Sequence, residues 1–148
     1  MMAILRQIPE SLRLSALIGE PEDIHLNQAV SVLGRRGMIV HQAHSSGEVI
    51  RIARECRVDF LLLDMDIPDM GGLRTYHVLK EMVQIFPCIL FGCPSSPEVR
   101  RRALEEEAFT LVPKPLEPRV LTGVVDRLIE RYFPNLKDGF RGKEVEEP

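Results

Sequence analysis

The chain has 148 residues, of which 45% are apolar and 28% charged, with a formal net charge of −3. This is the size and composition of one globular domain with enough apolar content for a packed core, and not of a disordered or fibrous chain. With no Trp, only 5% aromatics and no cationic excess, it offers neither a basic nor a stacking surface for direct nucleic-acid binding.

The longest apolar runs are far too short for a membrane span. The opening "MMAILRQIPES" has neither the apolar core nor the small-residue cleavage site of a signal peptide. Cys56, Cys88 and Cys93 are an odd set without C-x-x-C spacing. They suit packed, reduced thiols better than a zinc site or a disulfide framework. A cytoplasmic location without membrane contact is expected.

Residues 1–11 read as an N-terminal extension, 12–132 as the domain and 133–148 as a polar tail. The first strand is predicted at "LRLSALI" (12–18). A helix follows in "DIHLNQAVSVLGRRG", with Leu26, Ala29, Val30 and Leu33 on one face and Gly37 at its end. "MIVHQA" (38–43) is the second strand. "SSGEVIRIAREC" brings Ser or Gly to an N-cap and spaces Val49, Ile52, Ala53 and Cys56 as a helix face. The third strand is "FLLL", apolar throughout, as expected when both sheet faces are covered. A helix in "LRTYHVLKEMVQ", a strand "CILF", a helix "PEVRRRALEEEA" with Pro97 in its first turn, and a strand "FTLV" come next. The last helix, "PRVLTGVVDRLIERY", turns Leu121, Val125, Leu128 and Tyr132 inward. Five strands alternating with five helices are the pattern of an α/β fold with a parallel sheet.

In such a sheet, chemistry gathers beyond the carboxyl ends of the strands. The first strand delivers Gly19 and Glu20 there, with Glu22 and Asp23 behind them as candidate helix N-terminal acids. The third delivers Asp64 and Asp66, the fourth Gly92 and Cys93, and the fifth Lys114 followed by Pro115. Carboxylates from two strands suit Mg²⁺, and a lysine from a third suits a phosphate.

Three stretches, "LIGEPEDI", "LLLDMDIPDMGG" and "VPKP", together resemble the receiver domain of two-component response regulators over residues 12 to 132. The spacing of Asp64, Pro68, Met70 and Gly72, with Lys114–Pro115 downstream, carries the resemblance. It implies a flavodoxin-like, doubly wound fold with strand order 2-1-3-4-5. It also implies a signalling phosphoacceptor rather than an enzyme. Asp64 would take a phosphoryl group from a sensor histidine kinase or phosphotransfer protein, or from a small phosphodonor, with Lys114 holding the phosphate. Mg²⁺ would sit on Glu20, Asp64 and the Asp66 backbone carbonyl, and Pro115 would be cis. Homodimers would form through the fourth helix, fifth strand and fifth helix, where Arg100–Arg102 and Glu105–Glu107 suit salt-bridged pairing or a solvated face.

Three positions depart from the family. Gly19 stands where a second metal carboxylate is usual, Gly92 where a Ser or Thr binds the phosphate, and Leu111 where an aromatic rotates on activation. Losing that hydroxyl removes a charge-assisted hydrogen bond of about 1.5–3 kcal/mol. The alternative reading is therefore a diverged receiver that acts as a phosphorylation-independent interaction module. A more distant one takes "DMD" as the D-x-D motif of haloacid-dehalogenase-type phosphohydrolases, with Asp66 as acid/base.

Overall fold

The computed structural model describes residues 13–92 and 97–135. The whole N-terminal extension, the tail beyond residue 135, Cys93, Ser95 and Ser96 lie outside the described residues. Strands β1 (Ser15–Gly19), β2 (Ile39–Ala43), β3 (Phe60–Asp64), β4 (Cys88–Phe91) and β5 (Thr110–Val112) alternate with helices. These are α1 (Asp23–Arg35), α2 (Ser46–Glu55), α3 (Gly72–Met82), α4 (Pro97–Glu105) and α5 (Pro118–Tyr132). All strand pairs are parallel, in the order β2-β1-β3-β4-β5. This is the flavodoxin-like architecture the sequence leads one to expect.

The apolar run of β3 has a direct structural cause. Phe60 and Leu62 point to one face, into a core shared with α1 and α5 through Leu26, Leu33, Val125 and Leu128. Leu61 and Leu63 point to the other, into a core shared with α2 and α3 through Val49, Ile52, Tyr76 and Leu79. Every residue of β3 and β4 is buried, whereas the edge strand β2 is half-exposed over most of its length. That difference accounts for the mixed "IVHQA" against the unbroken "FLLL".

The helix ends follow local chemistry. Ser45 caps α2 by accepting from the Glu48 amide at 3.2 Å, while the Glu48 carboxylate accepts from the His44 amide at 2.7 Å. At the far end of α1 the amides of Arg36 and Gly37 return to the carbonyls of Leu33 and Gly34.

Several predicted boundaries and facings shift. β1 begins at Ser15, with Arg13 ahead of it bonding the Gly37 carbonyl through its guanidinium at 2.7 Å. α4 stops at Glu105, short of Ala108, because Glu107 takes a left-handed conformation at φ 62°. Cys56 is exposed at the end of α2 rather than buried on its inner face. Tyr132 is 40% exposed, and its ring meets Phe109 edge-to-face at 5.9 Å on the rim of the core. No helix of the described residues is long and apolar enough to cross a membrane.

Candidate functional site

The parallel register brings the strand ends level. Gly19 pairs with Leu63, Asp64 with Phe91, and Phe91 with Val112. Beyond that line Glu20, Asp64 and Lys114 converge. The Glu20 and Asp64 side chains are each 1% exposed, that of Lys114 28%. The Lys114–Pro115 peptide bond is cis. Lys114 Nζ donates to Glu20 Oε1 at 3.0 Å and to Asp64 Oδ2, and lies 5.4 Å from the centroid of the Phe91 ring. One ammonium thus screens two buried carboxylates that would otherwise repel each other.

The remaining carboxylate oxygens are also engaged. Asp64 Oδ1 accepts from the Asp66 amide at 2.8 Å, and Glu20 Oε2 accepts from the Glu22 amide at 2.9 Å. His25 stands at the rim, 3.7 Å from Glu20 and 3.4 Å from Glu22. Burial pushes the Glu20 carboxyl above its ordinary pKa; the Glu22 amide and Lys114 offset only part of that, and the Asp64 charge adds to it. Burial works to lower the pKa of Lys114, but its hydrogen bonds to Asp64 and Glu20 outweigh it and the net shift is upward. Lys114 therefore stays an ammonium at neutral pH.

Among the described residues no group of three His, Cys, Asp or Glu side chains is arranged around a common metal position. The available set is smaller: two carboxylates, on Glu20 and Asp64, with the Asp66 backbone joined to Asp64 through its amide. Oxygen-only donors of this number fit Mg²⁺, which keeps several waters and needs one or two carboxylates beside a phosphate. Asp66 is exposed, and its recorded contact with the cluster is through its backbone amide.

The departures have packing behind them. A Cβ on Gly19 would lie 2.8 Å from Ile67 Cδ1 and 2.9 Å from both Leu63 Cδ2 and Val49 Cγ2. The space a second carboxylate would need is filled with hydrocarbon. Gly92 sits at φ 143°, and a Cβ there would meet the Met65 side chain at 3.1 Å. Gly72 is needed where α3 crosses the end of β3, since a Cβ would collide with the Asp64 carbonyl oxygen. Leu111 is half-buried against the α2–α3 core. Glu106, grouped by sequence with an exposed acidic block, bonds Lys80 at 2.7 Å and His77 at 2.9 Å instead.

Sequence reasoning missed Met65, whose side chain occupies the space beside Gly92, and Ser46, which reads only as one more cap residue. The signal for Met65 was available: a large residue directly after the strand-end aspartate, opposite a glycine. For Ser46 there was none, because its partners lie 22 and 29 residues away.

The sequence model of the response regulator receiver domain matches residues 16–126. The DNA-binding transcriptional regulator NtrC of Proteus hauseri is 28% identical over 98 residues, which is 66% of this chain and 21% of that protein. The transcriptional regulatory protein SrrA of Staphylococcus aureus is 28% identical over 115 residues, 78% of this chain and 47% of that one. The chain thus spans less than half the length of these curated relatives. Among solved structures, the chemotaxis response regulator CheY4 of Vibrio cholerae superposes with a TM-score of 0.73 at 20% identity, over 78% of this chain and 98% of its own. The receiver domain of an HD-domain protein from Pseudomonas fluorescens does so with a TM-score of 0.75 at 16% identity, over 82% and 90%. The phosphohydrolase alternative requires its D-x-D motif on a first strand, whereas here the motif begins at the end of β3. With a family match over most of its length on a parallel sheet of matching order, this chain belongs to the response regulator receiver domains.

Proposed function

We propose that Asp64 accepts a phosphoryl group from a phosphohistidine of a sensor histidine kinase or phosphotransfer protein. A carboxylate oxygen of Asp64 forms the new P–O bond, the P–N bond of the donor breaks, and its electron pair stays on the imidazole nitrogen. Lys114, already hydrogen-bonded to Asp64, binds the phosphoryl oxygens in the product. Mg²⁺ held by Glu20, Asp64 and the Asp66 carbonyl would neutralise the charge that builds up on those oxygens. A cavity of about 490 Å³ lies beside Glu20 and Lys114, walled by Ile24, Val32, Leu116 and Leu121. The observation that carries the reading is the shared ammonium between two buried carboxylates at the strand ends.

A second reading, a receiver that works without phosphorylation, is favoured by the crowding at Gly19 and Gly92. One experiment separates the two. The chain is incubated with Mg²⁺ and acetyl phosphate, followed by intact mass, and with beryllofluoride, followed by amide shifts. The expected result is a Mg²⁺-dependent phosphoryl adduct that Asp64→Asn abolishes. A folded chain that yields neither adduct nor shift at millimolar Mg²⁺ is an interaction module instead. Because Gly92 and Leu111 replace the hydroxyl and aromatic of the usual relay, the output of a modified Asp64 runs through the β3–α3 loop and its neighbours.

A further inference from the structure

The loop that follows Asp64 is tied to the first turn of α2 by hydrogen bonds that no local element requires. The Pro68 carbonyl accepts from the Ser46 amide at 3.0 Å and from Ser46 Oγ at 2.9 Å. Ser46 Oγ in turn accepts from the Met70 amide at 3.4 Å and from Thr75 Oγ1 at 2.7 Å. Thr75 Oγ1 also lies 2.6 Å from the Gly71 carbonyl. Each hydroxyl has one proton, and every acceptor within reach belongs to the same bridge. Both side chains are fully buried.

Beside this bridge the Gly47 amide holds Asp69 Oδ2 at 3.1 Å, and Asp69 is kept at φ 88°. A left-handed backbone at a residue other than glycine is disfavoured and persists only where neighbours enforce it. The loop is therefore held in one shape from outside. Its inner end carries Asp66, whose amide bonds Asp64 Oδ1, and Ile67, which is 1% exposed in the α2–α3 core.

We propose that the buried Ser46–Thr75 hydroxyl pair is a positioning device that fixes the loop from Met65 to Gly71, and so holds the Asp66 carbonyl as the third oxygen donor of the site. This rests on the phosphoryl-acceptor reading. Hydrocarbon fills the space beside Gly19, so a metal has two carboxylates and one carbonyl. The carbonyl then carries a larger share of the binding, and its position follows the shape of the loop, anchored at its inner end by Asp64 and Phe91 and farther along by the Ser46–Thr75 pair. Groups that orient metal ligands from behind typically change affinity 10- to 100-fold when removed.

The test uses the full chain and the near-isosteric Thr75→Val, which removes the hydroxyl and keeps the shape, with Thr75→Ser as the hydroxyl-retaining control and Ser46→Ala beside them. Mg²⁺ is titrated by the amide shifts of Asp64 and Asp66, and acetyl phosphate labelling is measured against Mg²⁺ concentration, well below each Tm. Thr75→Val should raise the half-saturating Mg²⁺ roughly tenfold while the rate at saturating Mg²⁺ stays near wild type, and Thr75→Ser should return to the wild-type half-saturation. A lower Tm with unchanged half-saturation in Thr75→Val overturns the proposal and leaves a packing role. A wild-type chain that shows no Mg²⁺ response overturns this proposal and the phosphoryl-acceptor reading together, and it is recognised before any variant is made. If Ser46→Ala fails to fold, Thr75→Val and Thr75→Ser carry the comparison.

Discussion

A Cβ on Gly19 would lie 2.8–2.9 Å from three apolar side chains, and one on Gly92 would meet Met65 at 3.1 Å. Both glycine departures from the receiver pattern are thus matched by neighbours that occupy the space a side chain would need, so restoring the family residue there does not restore the family geometry. Gly19→Asp must push aside Val49, Leu63 and Ile67 and bury a third carboxylate beside Glu20. It should lower stability by roughly 2–5 kcal/mol, from overpacking together with an unpaired buried charge, read as a fall in the urea midpoint. Mg²⁺ binding should not tighten. An unchanged midpoint with tighter Mg²⁺ binding would show that the apolar wall yields easily. The same residue scale explains why Lys114 matters beyond any phosphate: without its ammonium, Glu20 and Asp64, each 1% exposed, face each other uncompensated.

Between elements, two ionic pins cross the molecule, and their pKa values move in opposite directions from the ordinary ones. His44 joins β2 and α2 to the start of α1 through Asp23 at 2.7 Å, and that hydrogen bond raises its pKa above the ordinary 6.5. A raised folded value means that its stabilisation is fully present below about 6.5 and is lost as pH climbs through the folded value. Glu106 joins the α4–β5 turn to α3, and its hydrogen bonds to Lys80 and then His77 hold its carboxyl below the ordinary 4.5. Its contribution is present above about 4.5 and disappears as pH falls through the folded value. The Tm difference between wild type and His44→Gln should therefore shrink toward alkaline pH, while that for Glu106→Gln should shrink toward strong acid. Parallel differences at all pH values would mean that neither ion pair is formed in solution. The Glu106 contact also draws one acidic residue of the block Glu105–Glu107 inward, away from the face that a pairing helix would meet.

At the scale of the whole molecule the sheet joins two cores. Phe60 and Leu62 serve one and Leu61 and Leu63 the other, from a single five-residue strand. A strand that fills both cores cannot leave one intact while the other melts, so the described domain should unfold in one step. Leu63→Ala should cost about 2–5 kcal/mol and move the transitions seen by far-UV circular dichroism and by tyrosine fluorescence together. Separate transitions would show that the α1–α5 layer and the α2–α3 layer come apart.

The order and type of all ten elements were legible in the sequence, because hydrophobic period and turn residues are local properties of the chain. So was the gathering of Glu20, Asp64 and Lys114, because a parallel sheet sends every strand end to the same edge. What the sequence left open were facings and boundaries that depend on distant partners: the early end of α4, the exposure of Cys56, and the inward turn of Glu106. Only the tertiary structure decided that the room beside Gly19 is closed by side chains from α2, β3 and the loop after it. It alone brought Ser46 and Thr75 together behind the Asp64 loop. Such contacts join residues tens of positions apart, and their fit depends on volumes and angles that no local pattern encodes.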